Sequence, residues 1–196
     1  MVREADDLDE ELDRVLIGGR EEREIRIEPY SDEWARRFTV ERKRIEAALG
    51  ATARRIEHIG STAVPGLAAK PIVDILVSVD DPDDEPALAA LERVGYRLRV
   101  REPAHRMFRT PERDVHVHVW PVGSDDEHRH LLFRDWLRSH PADRLEYERA
   151  KRMLAGNWRD TNYYARAKSP VVDRIMERAR RAELEPEEMP TPERGT

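Results

Sequence analysis

The chain has 196 residues, of which 39% are hydrophobic and 39% are charged, and this length suits one well-buried domain. Its formal net charge of −6 argues against a general nucleic-acid-binding surface, and the absence of cysteine excludes disulfides and thiolate metal sites. No apolar run is long enough to cross a membrane, and the acidic N-terminus has no signal-peptide pattern, so we expect a cytoplasmic protein without a membrane partner.

The ends of the chain differ in composition from its middle. Residues 1–23 are charge-rich and predict an N-terminal extension with a short helix from Leu8 to Leu16. Residues 183–196 combine Glu, Pro and Arg, a composition typical of a flexible tail. The remaining segment, residues 24–182, is predicted to form the folded domain.

The first half of this domain predicts a strand, a helix, two strands and a second helix. The helix is indicated by Ser31 as N-cap, by apolar residues at near-helical spacing and by Gly50 at its end. Alternating apolar residues indicate the strands. The other four elements are predicted at Ile25–Ile27, Arg54–Ile59, Ile72–Val79 and, for the second helix, Pro86–Val94.

The second half predicts three strands followed by helices. The strands are Tyr96–Val100, His105–Arg109 and Val115–Val119, and residues 110–114 form the turn of a hairpin between the last two. The helices are predicted at Asp125–Ser139, from the break at Pro141 to Ala155, and at Ser169–Glu183. The expected fold class is therefore α+β, a mixed sheet flanked by helices with a helical C-terminal third.

Arginine is the dominant cation of the chain. The lysines among its 35 basic residues are Lys43, Lys70, Lys151 and Lys168. Such a skew is typical of codon bias, so the abundance of arginine by itself indicates no function.

The segment between the second and third predicted strands carries the chemistry. A strand ends at Gly60, where glycine permits a tight turn and close approach of a ligand to the backbone. The hydroxyls of Ser61 and Thr62 and the nearby amides could hold a phosphate, and Lys70 could add a point charge. Asp74, on the following strand, offers a hard oxygen ligand for Mg²⁺.

The run from His58 to Ile75, His-Ile-Gly-Ser-Thr-Ala-Val-Pro-Gly-Leu-Ala-Ala-Lys-Pro-Ile-Val-Asp-Ile, resembles the signature of the GrpB family. Residues 116–119 and 133–141 are similar to later segments of the same family. The resemblance implies a nucleotidyltransferase-like fold and a cytoplasmic location, and a related domain is fused to some dephospho-CoA kinases. It implies no settled reaction.

The chain departs from the pattern of active nucleotidyltransferases. Those enzymes share two carboxylates, two residues apart on one strand, and a third carboxylate on a neighbouring strand. Together the three carboxylates hold two metal ions. Here Leu76 stands two residues after Asp74, and Ile72 stands two residues before it. This departure argues against ordinary two-metal nucleotidyl transfer.

Histidines replace the missing carboxylates. His116 and His118 share one face of their predicted strand, and Asp74 lies on the non-valine face of its own strand. If the two strands are neighbours, these three side chains gather on one surface. They could then hold a divalent metal, either Mg²⁺ or a transition metal with His58 as a further donor, or serve as a general base without metal. His128 and His130 are predicted to be surface residues.

Three functional hypotheses remain open. The first is a cleft that binds a phosphorylated or nucleotide-type small molecule and catalyses phosphoryl, nucleotidyl or acyl transfer, as a transferase with Asp74, His116 and His118 as catalytic groups. Gly60, Ser61, Thr62, Lys70 and Arg134 are its predicted substrate-binding residues. The second is a non-catalytic module with a degenerate site for a nucleotide or coenzyme A type of ligand. The third is a histidine-based metal enzyme, and each is compatible with a monomer or a homodimer.

Overall fold

A computed structural model describes residues 2–19, 24–158 and 161–184 of the chain. The helices are α1 (Val2–Val15), α2 (Asp32–Leu49), α3 (Glu85–Arg93), α4 (Asp125–Ser139), α5 (Pro141–Ala155), α6 (Thr161–Ala167) and α7 (Ser169–Leu184). The strands are β1 (Arg55–Ile59), β2 (Val73–Val79), β3 (Arg97–Glu102), β4 (His105–Arg109) and β5 (Val115–Pro121). Most of the predicted tail, residues 185–196, lies outside the described residues.

The five strands form one mixed sheet in the order β1-β2-β5-β4-β3. The central strands β2 and β5 are parallel, whereas the pairs β1–β2, β4–β5 and β3–β4 are antiparallel. In the β2–β5 register Asp74 lies opposite His116, and Leu76 lies opposite His118. Side chains alternate between the two faces of a strand, so this register places Asp74, His116 and His118 on one face.

The opposite face of the sheet packs against α2 and α3. Its centre consists of Ile75, Val77 and Val117, which are all completely buried. The side chain of Ser31 begins α2 by accepting a hydrogen bond from the Glu33 amide, and Gly50 ends that helix at a φ of 52°. This face contains the main apolar core of the domain.

The C-terminal helices cover the face that carries Asp74. A second apolar cluster joins the segment after β1 to α4, α5 and α7 through Val64, Leu137, Tyr147 and Ile175. A cavity lies between these helices and the polar side chains of β2 and β5. Of the described helices, none is both long enough and apolar enough to cross a membrane.

The predicted α+β class and the mixed sheet flanked by helices are confirmed. The predicted strand at Ile25–Ile27 is wrong, because only Glu28 pairs, through an isolated bridge to Ala69. The predicted N-terminal helix is α1, and Leu16 just after it bridges to Val100 in β3. Helix α6 was not predicted, since its seven residues bury only Tyr164 and show no apolar period.

Candidate functional site

A cavity of about 420 Å³ separates the sheet from the C-terminal helices, a volume in the range of small-molecule sites. The sheet side contributes Asp74, His116 and His118, together with Gly60 and Ser61 from the turn after β1. The helical side contributes, among others, residues Lys151, Tyr164 and Lys168. Basic, acidic and imidazole groups therefore face one enclosed space.

Asp74, His116 and His118 converge at the sheet wall of this cavity. His116 Nδ1 lies 3.3 Å from Asp74 Oδ1, and His118 Nε2 lies 3.7 Å from the same oxygen. One ligand atom from each residue lies within 4.8 Å of the other two. Two ligand atoms each about 2.1 Å from one ion are about 3.4 Å apart at a tetrahedral angle, so these separations fit a shared metal.

The ionisation states at this wall suit metal ligation. Burial alone would raise the pKa of Asp74, but hydrogen bonds from His116 and His118 hold that pKa well below its ordinary value. Burial lowers the pKa of His118, although the Asp74 carboxylate opposes the shift. Ionised carboxylate and neutral imidazole are the forms that bind a metal.

Two further residues, Glu102 and His105, form a hydrogen-bonded series that ends at His118. Glu102 Oε2 lies 2.7 Å from His105 Nδ1, and His105 Nε2 lies 3.1 Å from His118 Nδ1. The hydrogen bond from His105 lowers the pKa of Glu102, so the carboxylate is ionised and His105 Nδ1 must carry the proton that it donates.

The contact with His105 suits metal binding at His118. When a metal binds, His118 Nε2 must be free of a proton, and Nδ1 then carries the proton and can donate it to His105 Nε2 at 3.1 Å. Without a metal, an N–H at His118 Nε2 faces the Asp74 carboxylate at 3.7 Å, which agrees with the lowered pKa of Asp74. The same nitrogen can therefore serve either the carboxylate or a metal ion.

Gly60 fits closely against the carboxylate of Asp74. Its backbone adopts φ 68° and ψ −170°, a conformation that is essentially restricted to glycine. A Cβ atom at this position would lie 2.6 Å from Asp74 Oδ2. Glycine is therefore needed here both for the turn after β1 and for the position of the Asp74 carboxylate.

Three of the sequence-predicted residues lie elsewhere. Thr62 donates its hydroxyl to the Ile72 carbonyl at 3.1 Å and accepts from His58 Nε2 at 3.0 Å. His58 pairs with Ile75 in the β1–β2 register, so it faces α2 rather than the cavity, and the prediction of a further metal donor is wrong. Burial lowers the pKa of His58 to about 4.

Arg134 was predicted to bind substrate, but it does not line the cavity. Its side chain is 9% exposed, and its guanidinium is held by Glu57 at 2.8 Å, by Asp135 at 2.8 Å and by the His58 carbonyl at 3.0 Å. All these contacts are within the protein. Arg134 therefore ties α4 to β1, because the two elements cross at this point.

The structure adds residues that sequence reasoning missed. His130 lines the cavity and stacks on Trp120 at 4.8 Å, so its predicted surface position is wrong, and burial lowers its pKa to about 3. His128 is exposed beside Glu183, as predicted. Lys151 and Lys168 were not singled out, although the rarity of lysine in this arginine-rich chain was an available signal.

Comparisons with known proteins agree on the family. The sequence model of the family, described as GrpB protein, matches residues 24–178. A UPF0157 protein of Streptomyces coelicolor is 53% identical over 84% of this chain and 89% of its own length. A UPF0157 protein of Halalkalibacterium halodurans is 47% identical over 87% of this chain and 91% of its own length.

A solved structure and an enzyme complete the comparison. The crystal structure of the conserved protein GrpB from Enterococcus faecalis matches with a TM-score of 0.72 and 32% identity, over 81% of this chain and 99% of that chain. A dephospho-CoA kinase of Mycolicibacterium paratuberculosis is 31% identical over 65% of this chain and only 39% of its own length. On the family match and these whole-length relatives, the chain belongs to the GrpB family.

Proposed function

We propose that the chain binds one divalent transition metal through Asp74, His116 and His118 and uses it to act on a phosphorylated or nucleotide-type small molecule in the cavity. The observation that carries the proposal is the convergence of two imidazole nitrogens on one carboxylate oxygen, at 3.3 and 3.7 Å. The contact of His118 Nδ1 with His105 Nε2 at 3.1 Å suits the tautomer that a metal at His118 Nε2 requires. The function thereby combines the first and third hypotheses from the sequence.

The donor set favours a transition metal over Mg²⁺. Two imidazoles and one carboxylate are the ligands of many catalytic zinc sites and of iron sites with open positions. Mg²⁺ prefers an octahedron of oxygen atoms, and only one of the three donors here is an oxygen. We therefore expect Zn²⁺ or a similar ion to bind more tightly than Mg²⁺.

Three protein ligands leave at least one coordination position for a substrate. A divalent ion at such a site supplies Lewis-acid chemistry, which polarises a phosphoryl or acyl oxygen. Glu102 and His105 orient His118, while Ser61 and Lys70 line the same cavity and can hold an anionic group. The partial similarity to dephospho-CoA kinases supports a ligand of nucleotide or coenzyme A type.

A second candidate is a binding module without catalysis. Leu76 favours this candidate. It is completely buried, and it occupies the position where active nucleotidyltransferases share a second carboxylate. Leu76 packs with Ile59 and Trp120, so this part of the wall is apolar. Turnover of a phosphorylated compound by wild type, lost in Asp74→Asn, would decide for the enzyme.

The proposed function is tested by the metal content of untagged protein. Wild type dialysed against Zn²⁺ should retain one equivalent by mass spectrometry, and Asp74→Asn and His116→Ala should retain far less. His128→Ala is the matched control, because His128 is exposed and lies outside the cavity. Wild type without bound metal, or Asp74→Asn with a full equivalent, would contradict the proposal.

A further inference from the structure

Lysines are concentrated in the cavity. The chain has four lysines among 35 basic residues, and Lys70, Lys151 and Lys168 all line this one space. The remaining one, Lys43, is exposed on α2. Codon bias explains the abundance of arginine, but it does not explain why three of the few lysines converge from separate segments of the chain.

Two tyrosine rings bring the three ammonium groups together. Lys70 Nζ and Lys168 Nζ lie 5.3 and 4.7 Å from the centre of the Tyr164 ring. Lys151 Nζ lies 4.8 Å from the centre of the Tyr147 ring and donates a hydrogen bond to the Ala68 carbonyl. Cation–π contacts hold the lysines in place without neutralising their charge.

The positive charges of Lys151 and Lys168 are only partly compensated, since Glu148 attracts Lys151 but is not ion-paired with it. Lys151 is only 2% exposed, and neither Lys151 nor Lys168 forms an ion pair with a carboxylate of residues 2–19, 24–158 or 161–184. Burial, followed by repulsion from Lys168, lowers the pKa of Lys151 to about 7. Burying an ammonium group is costly unless an anion or several acceptors satisfy it.

The acidic residues of the cavity do not supply that anion. Among the described residues that line it, the carboxylates are those of Asp74 and Glu102. Asp74 faces His116 and His118, and Glu102 is bonded to His105. Lys151 and Lys168 are therefore arranged for a negative group that comes from outside the protein.

We infer that Lys70, Lys151 and Lys168 form an anion subsite that binds the phosphate or diphosphate end of the ligand, in the part of the cavity beside Tyr147 and Tyr164. This rests on the proposed function in one respect, because the other end of the ligand then reaches Asp74, His116 and His118. A multiply charged phosphate matches three compact ammonium charges. The ligand class is thus a phosphate or diphosphate ester that spans the cavity from the helices to the sheet.

The test measures binding of inorganic pyrophosphate to metal-free protein by calorimetry. Wild type should bind, and Lys168→Met should bind about tenfold more weakly, since it loses one charged contact. Lys43→Met is the matched control, because it loses the same formal charge far from the cavity, and its affinity should be unchanged. Lys70→Met repeats the test at a residue from the segment before β2.

Equal affinities of wild type and Lys168→Met, or an equal loss in Lys43→Met, would overturn the subsite. Lys151→Met tests the buried member of the group, and its unfolding midpoint is measured first. If that variant does not fold, Lys70→Met and Lys168→Met decide the question. The metal site is judged separately: Asp74→Asn should still bind pyrophosphate, so failure of Zn²⁺ binding and failure of the anion subsite give different results.

Discussion

The two faces of the sheet are built by the same two strands and have opposite character. Towards α2 and α3, β2 and β5 present Ile75 and Val117, which are completely buried. Towards the C-terminal helices they present Asp74, His116 and His118, whose side chains keep 30%, 17% and 20% exposure to the cavity. The alternation of a strand thus places a rigid apolar core directly behind a chemical site.

We expect the domain to separate stability from function between these two faces. The packed face should carry most of the free energy of folding, because its apolar side chains lose all contact with water. The cavity face keeps charged and titratable groups partly buried, and in the proposed function a ligand completes their interactions. Substitutions on the two faces should therefore produce different kinds of loss.

The largest effect on stability is expected on the packed face. Ile75→Ala should lower the free energy of unfolding by about 2–5 kcal/mol, because it leaves a cavity in the core. The folded fraction should still bind one equivalent of Zn²⁺. Denaturant unfolding combined with metal analysis measures both quantities. A loss of metal affinity without a loss of stability would contradict the assignment of stability to the packed face and metal binding to the cavity face.

Titration of His58 should make the packed face sensitive to acid. The pKa of this buried imidazole is lowered to about 4 from an ordinary value near 6.5, so the unfolded chain binds the proton more readily between these values. Its stabilising contribution is complete above about pH 6.5 and is lost as the pH falls towards 4, up to about 3 kcal/mol. His58→Gln should flatten the dependence of the unfolding free energy on pH over this window, whereas an unchanged slope would contradict the assignment.

Gly60→Ala should damage the cavity face more than the packed face. The added Cβ would lie 2.6 Å from Asp74 Oδ2, so the carboxylate must move, and we expect the affinity for Zn²⁺ to fall by about tenfold to a hundredfold. Gly66→Ala is the matched control, because Gly66 also has a positive φ but its Cβ would have no neighbour within 4 Å. Equal metal affinities in calorimetry for the two variants would show that contact with Asp74 is unimportant.

The smallest effect is expected at Glu102, the outermost residue of the hydrogen-bonded series that ends at His118. Glu102→Gln removes the carboxylate that accepts from His105 at 2.7 Å, which should weaken Zn²⁺ binding by about tenfold with little change in stability. Glu112→Gln, an exposed substitution in the β4–β5 turn, provides the comparison. If both variants bind Zn²⁺ like wild type, Glu102 and His105 do not position His118.

The fold and the shared face of Asp74, His116 and His118 could be predicted from the sequence because their signals are local. Alternating valines indicate β2 and β5, and Ser31 and Gly50 mark the ends of α2. The shared face of Asp74, His116 and His118 follows from strand alternation once the two strands are adjacent. Such information lies within a few residues of each element.

The rest depends on how distant segments pack. The face occupied by His58 is set by the antiparallel β1–β2 register, which its own strand does not encode. His130 is covered only because α4 lies across the sheet beside Trp120. Lys70, Lys151 and Lys168 come from three segments, so their convergence in one cavity appears only in the folded chain.

The most direct test of the metal site is anomalous X-ray diffraction from crystals of the wild-type protein grown with Zn²⁺. We expect one strong peak about 2.0–2.2 Å from a carboxylate oxygen of Asp74 and from one nitrogen each of His116 and His118. A crystal with no peak among these three side chains, at Zn²⁺ concentrations that load exposed surface histidines, would contradict it.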